Sequence, residues 1–317
     1  LEPFLLCPAW KDYLWGGTKL KKEYGKQFAA DRVAESWECS VHPSGESVIA
    51  GGAYQGLPLG KFLAKFPQAL GTHGQGMAGL PILMKLIDAE QDLSVQVHPD
   101  DSFALRNEGE PGKTEMWVIL QADPGATLVF SHDVNEDFVR KAIQKNTLMD
   151  HLQRVQVHEG DVFLIEPGTI HAIGGGVLLA EVQESSNITY RVYDYGRRDQ
   201  SGNLRELHVE KALAVMDFHA AKNIRRQQRI VKHIPGLASE LVGRCRYFQV
   251  ERLVTQHQCT LRQSNDTFYV LMVLNGQGKL GTENTELRLH KGNTVFAPAR
   301  EGVLKIEGRL ELLLVKI

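Results

Sequence analysis

The sequence predicts a mainly β protein, an antiparallel sandwich or barrel with a few helices, and three observations predict it. Between Val155 and Gln183, short β-branched runs alternate with Glu-Gly-Asp, Pro-Gly and Gly-Gly-Gly turns, the cadence of strands in an antiparallel sandwich or barrel. From Cys245 to Ile317 the chain again reads as short strands. The two regions also resemble each other: HEGDVFLIEPGTIHAI at 158–173 falls without gaps on HKGNTVFAPAREGVLKI at 290–306, and EMWVILQADPG falls on FYVLMVLNGQG. In these registers Glu115 lies over Phe268 and His171 over Val303. Such a repeat predicts two related β-barrels, of which only the first keeps its polar groups.

Taken in order, three of the four tryptophans, Trp10, Trp15 and Trp37, fall in the first forty residues around a Trp-Gly-Gly turn. Alternation from Glu35 to His42, followed by Pro-Ser-Gly, predicts a strand and turn. LGKFLAKF at Leu59–Phe66 predicts a short helix. Gly74-Gln-Gly76-Met-Ala-Gly79 matches the G-x-G-x-x-G pattern literally. A dinucleotide site, however, needs a strand before that pattern and a helix after it, whereas here the apolar strand PILMKLIDA follows. The loop is therefore read as surface. From Leu80 to Phe130 the pattern is strand, turn, strand, with Asp100-Asp101 and Glu110-Pro-Gly as punctuation. Asn135 is a candidate N-cap for a helical stretch to Leu152, with Phe138, Ala142 and Ile143 spaced for one face. A second helix is predicted over Val209–Ala221, and the basic run KNIRRQQRIVK at 222–232 reads as a solvated linker.

The 317 residues suffice for two ordinary domains or one large one. A hydrophobic content of 43% and a formal charge of −2 exclude a surface built wholly for nucleic acid. The four cysteines form no C-x-x-C pair, so neither a thiolate zinc site nor a disulfide framework is predicted, and a reducing cytoplasm is the expected setting. No stretch approaches the ~18 apolar residues of a membrane span, and no secretory leader pattern opens the chain.

The chemistry concentrates between Leu93 and Trp117. In LSVQVHPDD, Gln96 and His98 occupy alternate positions of an apparent strand and so share a face. With Glu115 in GKTEMW and His171 after a Pro-Gly turn, they offer four donors for one ion. Imidazole nitrogen, carboxylate and amide oxygen suit zinc, or a similar first-row ion such as manganese, cobalt or iron. A lone buried histidine is more often a hydrogen-bonded core residue than a ligand. Four such groups in β context change the balance, because inward-facing polar side chains in a small barrel are costly without a partner. Lys85 interrupts ILMKLI, Lys113 lies two residues before Glu115, and Arg191 sits among apolar and aromatic neighbours in TYRVYDY. Lys85 and Arg191 must each snorkel or face a partner, and an anionic substrate is one such partner.

AESWECSVHPSG, LSVQVHPDD, GKTEMW, GTIHAIGGG, Glu181, Ser185-Ser-Asn187 and TYRVYD, in this order, resemble the type I mannose-6-phosphate isomerases, or phosphomannose isomerases, of the short bacterial branch. The resemblance covers most of residues 4–220. It implies tandem cupin units (double-stranded β-helix or jelly-roll) and a zinc enzyme that interconverts mannose 6-phosphate and fructose 6-phosphate. By position it implies Gln96, His98, Glu115 and His171 as metal ligands and Arg191 as the catalytic arginine. It places Ser94 and Lys85 at phosphate-binding positions, and Lys113, Glu181 and His42 at active-site positions with acid/base roles. The expected organisation is a catalytic cupin domain over 1–221, a basic linker over 222–244 and a degenerate cupin-like domain over 245–317. Two departures stand out. Glu166-Pro167-Gly168 replaces the usual Pro-Ala-Gly turn, which is expected to shift the strand carrying His171 slightly, and the chain has no room for the helical domain inserted in longer members.

Three other functions compete with this one. A non-catalytic cupin that senses sugar phosphates would show loss of a ligand or of Arg191, and neither is lost. A cupin oxygenase would favour His-rich facial ligation, against which Gln96 and the surrounding cations speak. A purely structural β-sandwich leaves Lys85, Lys113 and Arg191 unexplained.

Overall fold

A computed structural model gives the fold, and it describes residues 1–131, 133–198, 201–219, 225–226 and 230–317. The protein is mainly β, with antiparallel strands and a few short helices, as predicted. By backbone contacts it forms two compact units, one from Leu1–Lys11, Thr18–Leu86 and Gln227–Ile317, the other from Asp12–Gly17 and Ile87–Arg226. Sequence order groups the first residues with those up to 221. Contact groups them with the C-terminal strands, because strand Phe4–Cys7 pairs with Thr294–Ala297, Phe4 opposite Phe296. No helix among the described residues is long and apolar enough to cross a membrane.

In the first unit the C-terminal strands enclose an apolar core that includes Leu271, Val273, Leu280, Val295, Leu304, Ile306 and Leu312. Its frame is a pair of long strands, Tyr269–Gly281 and Gly302–Lys316, where only short ones were expected. They persist because they bend: a bulge falls between Val273 and Asn275. Gly276 follows at φ 86°, with its Cβ position 2.0 Å from the Arg309 carbonyl oxygen. Only glycine fits there. One buried polar cluster ties strand Glu35–Cys39 to Thr294–Ala297. The fully buried Glu38 receives Lys26 Nζ at 2.5 Å, Ser36 Oγ at 2.5 Å and Thr294 Oγ1 at 2.7 Å.

The second unit has two antiparallel layers. In one, Glu115–Ala122 lies between Val162–Ile165 and Val177–Glu184. In the other the order is Tyr190–Tyr193, Val95–Val97, His171–Ile173, Thr127–Phe130, Gln153–Gln156. Val95, Val97, Ala172 and Val192 join Val139, Ala142, Ala212 and Leu213, from helices Glu136–Gln144 and Val209–Val215, in one apolar core.

The repeat holds at the level of hydrogen bonds. Gly160 N–H donates to Ile119 O and Ile119 N–H to Asp161 O; likewise Gly292 donates to Val273 O and Val273 to Asn293 O. Asp161 and Asn293 cap the same turns, accepting from His158 N–H and His290 N–H. Ile119 thus corresponds to Val273, and the gap-free register is off by one, so that Glu115 corresponds to Tyr269 rather than Phe268.

Four local expectations change. Asp100-Asp101 is not a simple turn: Asp100 accepts Phe103 N–H at 2.8 Å and caps helix Asp101–Asn107. Asn135 caps as predicted, but the buried side of its helix is Val139 and Ala142, with Phe138 38% exposed. The second helix ends at Val215; Ala221 lies outside the described residues, as does part of the basic run. Within that run Arg226 N–H donates to Val162 O at 2.8 Å and Arg225 lies over the Phe163 ring, so the linker is not wholly solvated.

Removing Glu38 strands Lys26 without its countercharge. E38A is therefore expected to lower the unfolding free energy by about 3–5 kcal/mol, read as a lower urea midpoint at unchanged m-value. Breaking the exposed Lys279–Glu286 pair is expected to cost under about 1 kcal/mol.

Candidate metal centre and active site

A single rung of the second layer sets the site. Arg191, Gln96, His171 and Phe130 stand opposite one another on four adjacent strands, and directly opposed residues project to one face. Gln96 is flanked by Val95 and Val97, which turn the other way into the apolar core. His98 follows the strand, and its carbonyl accepts Gly168 N–H at 2.9 Å. The turn before His171 is thereby stitched to His98. Gly168 takes φ 85°, the region glycine enters at no steric cost. Glu115 opens the other layer's central strand, opposite Ile165 and Gln183.

His98 Nε2 lies 3.3 Å from Glu115 Oε1, His171 Nε2 lies 3.8 Å from Glu115 Oε2, and Gln96 Nε2 lies 3.4 Å from His171 Nε2. Donors about 2.1 Å from a common tetrahedral ion lie about 3.4 Å apart. His98, Glu115 and His171 are each at most 1% exposed, with donor atoms within 4.8 Å of one another. His171 Nδ1 lies 2.9 Å from the Thr169 carbonyl. A carbonyl only accepts, so Nδ1 carries the hydrogen and Nε2 keeps its lone pair for the cluster. Turning the Gln96 amide over puts its oxygen where the nitrogen stands. Both ring nitrogens of His98 and Glu115 Oε2 are buried without a hydrogen-bond partner, while Glu115 Oε1 meets the Lys113 ammonium at 2.9 Å. A divalent cation would take one nitrogen of each imidazole and a Glu115 oxygen together, so the residues fit such an ion.

The electrostatics agree. Burial, then the Lys113 charge, push His98 down to about 3, and burial lowers His171. Burial alone would raise Glu115, but the Lys113 ammonium at 2.9 Å, with His98 and His171, holds it well below the usual carboxylate range. Near neutral pH the set is two neutral imidazoles and a carboxylate, the protonation state that ligation needs.

Around this cluster, Lys113 and Ser94 are buried. Glu181 stands opposite Trp117 and accepts its indole N–H at Oε2, 3.0 Å. Trp117 also sits edge-on to His171, ring centroids 5.3 Å apart. A predicted ligand and a predicted acid/base residue thus share one buried tryptophan, which sequence reasoning quoted only within a motif. The available signal was its position two residues after Glu115 on a strand. Arg191 Nη1 donates to Glu206 O at 2.9 Å. Burial, then the Arg205 charge, lower its pKa, though a guanidinium stays charged.

Lys85 and His42 belong to the first unit. Lys85 Nζ lies 5.2 Å over the Trp37 ring and 3.9 Å from Glu35 Oε2, so its burial has local partners. His42 Nδ1 accepts Ser44 N–H at 3.0 Å, which leaves Nε2 as the hydrogen-bearing nitrogen.

In the metal-free protein His98 binds fewer protons folded than unfolded wherever pH lies between about 3 and 6.5. Its contribution to stability is fully present above 6.5 and is lost as pH falls toward about 3. H98Q is expected to flatten that loss, measured by denaturant unfolding with chelator at about pH 7 and about pH 5; an unchanged slope would place the loss elsewhere.

Comparison with known proteins agrees with this architecture. The phosphomannose isomerase type I catalytic-domain model matches residues 4–116, and the mannose-6-phosphate isomerase cupin-domain model matches residues 239–317. The mannose-6-phosphate isomerase of Streptococcus mutans serotype c is 33% identical over 313 residues, 98% of this chain and 97% of that protein. Mannose-6-phosphate isomerase ManA of Bacillus subtilis is 34% identical over 316 residues, again 98% and 97%. The crystal structure of the mannose 6-phosphate isomerase from Bacillus subtilis has a TM-score of 0.93 at 31% identity, covering 100% of both chains. With cupin-type strands, the polar cluster and full-length similarity pointing the same way, the chain belongs to the type I mannose-6-phosphate isomerase family of enzymes.

Proposed function

We propose that this chain is a metal-dependent aldose–ketose isomerase that interconverts mannose 6-phosphate and fructose 6-phosphate by moving a proton between C2 and C1 through an enediol. The observation that carries the reading is the buried convergence of His98, Glu115 and His171 beside the rung holding Gln96 and Arg191. Gln96, His98, Glu115 and His171 would hold a zinc ion, or a similar first-row divalent ion. The bound ion supplies Lewis-acid stabilisation of negative charge on the sugar oxygens.

Glu181 and Lys113 are the candidates for taking and returning the carbon-bound proton. Glu181 is oriented by Trp117, and Lys113 is held at Glu115. Arg191 does not titrate in the working range, so its role is to hold phosphate or developing charge rather than to move the proton. Family resemblance supports Ser94 and Lys85 as phosphate contacts and His42 in ring opening.

The test couples metal analysis to a mannose 6-phosphate to fructose 6-phosphate assay. Chelation is expected to abolish turnover and metal return to restore it, and H171A is expected to lose both metal and activity. R191A is expected to keep its metal and lose about 10²-fold or more in kcat/KM. Turnover that survives complete metal removal overturns the reading, and stoichiometric metal without turnover would favour a non-catalytic sugar-phosphate sensor.

A further inference from the structure

The segment Gly112–Thr114, which leads into Glu115, is held at three consecutive backbone amides. Gly112 N–H donates to Asp101 Oδ1 at 2.9 Å, Lys113 N–H to Pro99 O at 3.0 Å, and Thr114 N–H to Glu184 Oε1 at 2.8 Å. Glu184 returns its own N–H to Thr114 O at 3.2 Å. The Glu184 carboxyl also meets the Asp101 carboxyl, and two carboxyl groups share a hydrogen bond only with a proton on one of them. Burial, assisted by the Asp101 charge and opposed by the Thr114 bonds, pushes Glu184 up to about 7. Gly112 contributes by lacking a side chain, since a Cβ there would lie 2.5 Å from the Asp100 carbonyl carbon. Between the clamped ends, Lys113 is 4% exposed with Nζ 2.9 Å from Glu115 Oε1.

We propose that Asp101 and Glu184 are positioning residues, a hydrogen-bonded carboxyl pair that clamps the Gly112–Thr114 backbone so that the Lys113 ammonium meets Glu115. Their bonds to the backbone on either side of Lys113 make them act through Lys113. The catalytic consequence rests on the isomerase reading, whereas the clamp itself does not. Displacing a catalytic group by about 1 Å costs as much as 10²-fold in rate, so the clamp's effect belongs in kcat.

Glutamine at 184 keeps an acceptor for Thr114 N–H and gains a donor for Asp101, whereas alanine keeps neither. In metal-loaded protein, E184A is expected to raise amide exchange across 112–114 by about tenfold or more, with exchange in strand Tyr269–Gly281 unchanged. It is expected to lower kcat by about 10- to 100-fold with KM within about twofold. E184Q is expected to restore both readouts to within about threefold of the parent. D101A, a second variant should E184A not fold, is expected to give the same exchange and kcat changes, centred on Gly112. Parental exchange in E184A overturns the clamp, and faster exchange with parental kcat overturns its role in positioning. An E184Q defect equal to that of E184A also overturns the pairing. A parent protein that protects these amides but lacks isomerase turnover removes the isomerase reading and with it the catalytic part of the proposal.

Discussion

Lys113 Nζ lies 2.9 Å from Glu115 Oε1 where both side chains are almost wholly buried, and much of the second unit follows from that charge. Removing an ionised carboxylate from water costs several kcal/mol after relaxation. The Lys113 ammonium offsets the charge but leaves the geometry unfinished, because His98 has no hydrogen-bond partner at either ring nitrogen. Two layers must therefore deliver His98, Glu115 and His171 to one point. The turn at Gly168 does so for the histidines, bonding His98 O and setting up Thr169 O to fix the His171 tautomer. A cluster this expensive to bury is strong grounds for a shared cationic partner.

The second copy of the β unit shows what the same frame does without that constraint. Its His-x-Gly-Asn turn repeats the first copy's hydrogen bonds, yet Tyr269 stands where Glu115 does. Its apolar core is built mainly of leucine, valine and isoleucine. The frame thus sets where a site can be built, and individual side chains decide whether one is.

What was legible in the sequence was whatever local spacing encodes. The two-residue period linked Gln96 to His98, and a capping asparagine announced the helix at Glu136. The rung that joins Arg191, Gln96 and His171 was not legible, since register between distant strands depends on tertiary pairing that no window contains. The Asp101–Asn107 helix was hidden for a chemical reason: an aspartate that caps a helix and one that opens a turn use the same carboxylate-to-amide bond. The repeat was visible, but a comparison without gaps cannot detect the one-residue slip that exchanges Phe268 for Tyr269.

Gln96 shows why the fourth candidate donor is better neutral. It stands directly across from Arg191, and opposed side chains on neighbouring strands lie close enough to pair. A carboxylate at 96 would bind the guanidinium and withdraw both groups from the site. The amide does not, and Arg191 Nη1 instead bonds the uncharged Glu206 carbonyl. Asp194, whose charge also acts on Arg191, is paired with Arg197 and Arg205. Arg191 and Lys113, together with a divalent ion held by the cluster, would then outweigh the carboxylates of Glu115 and Glu181. A phosphate dianion cancels a surplus of that sign, so the placement of one uncharged amide bears on which ligand the site can accept.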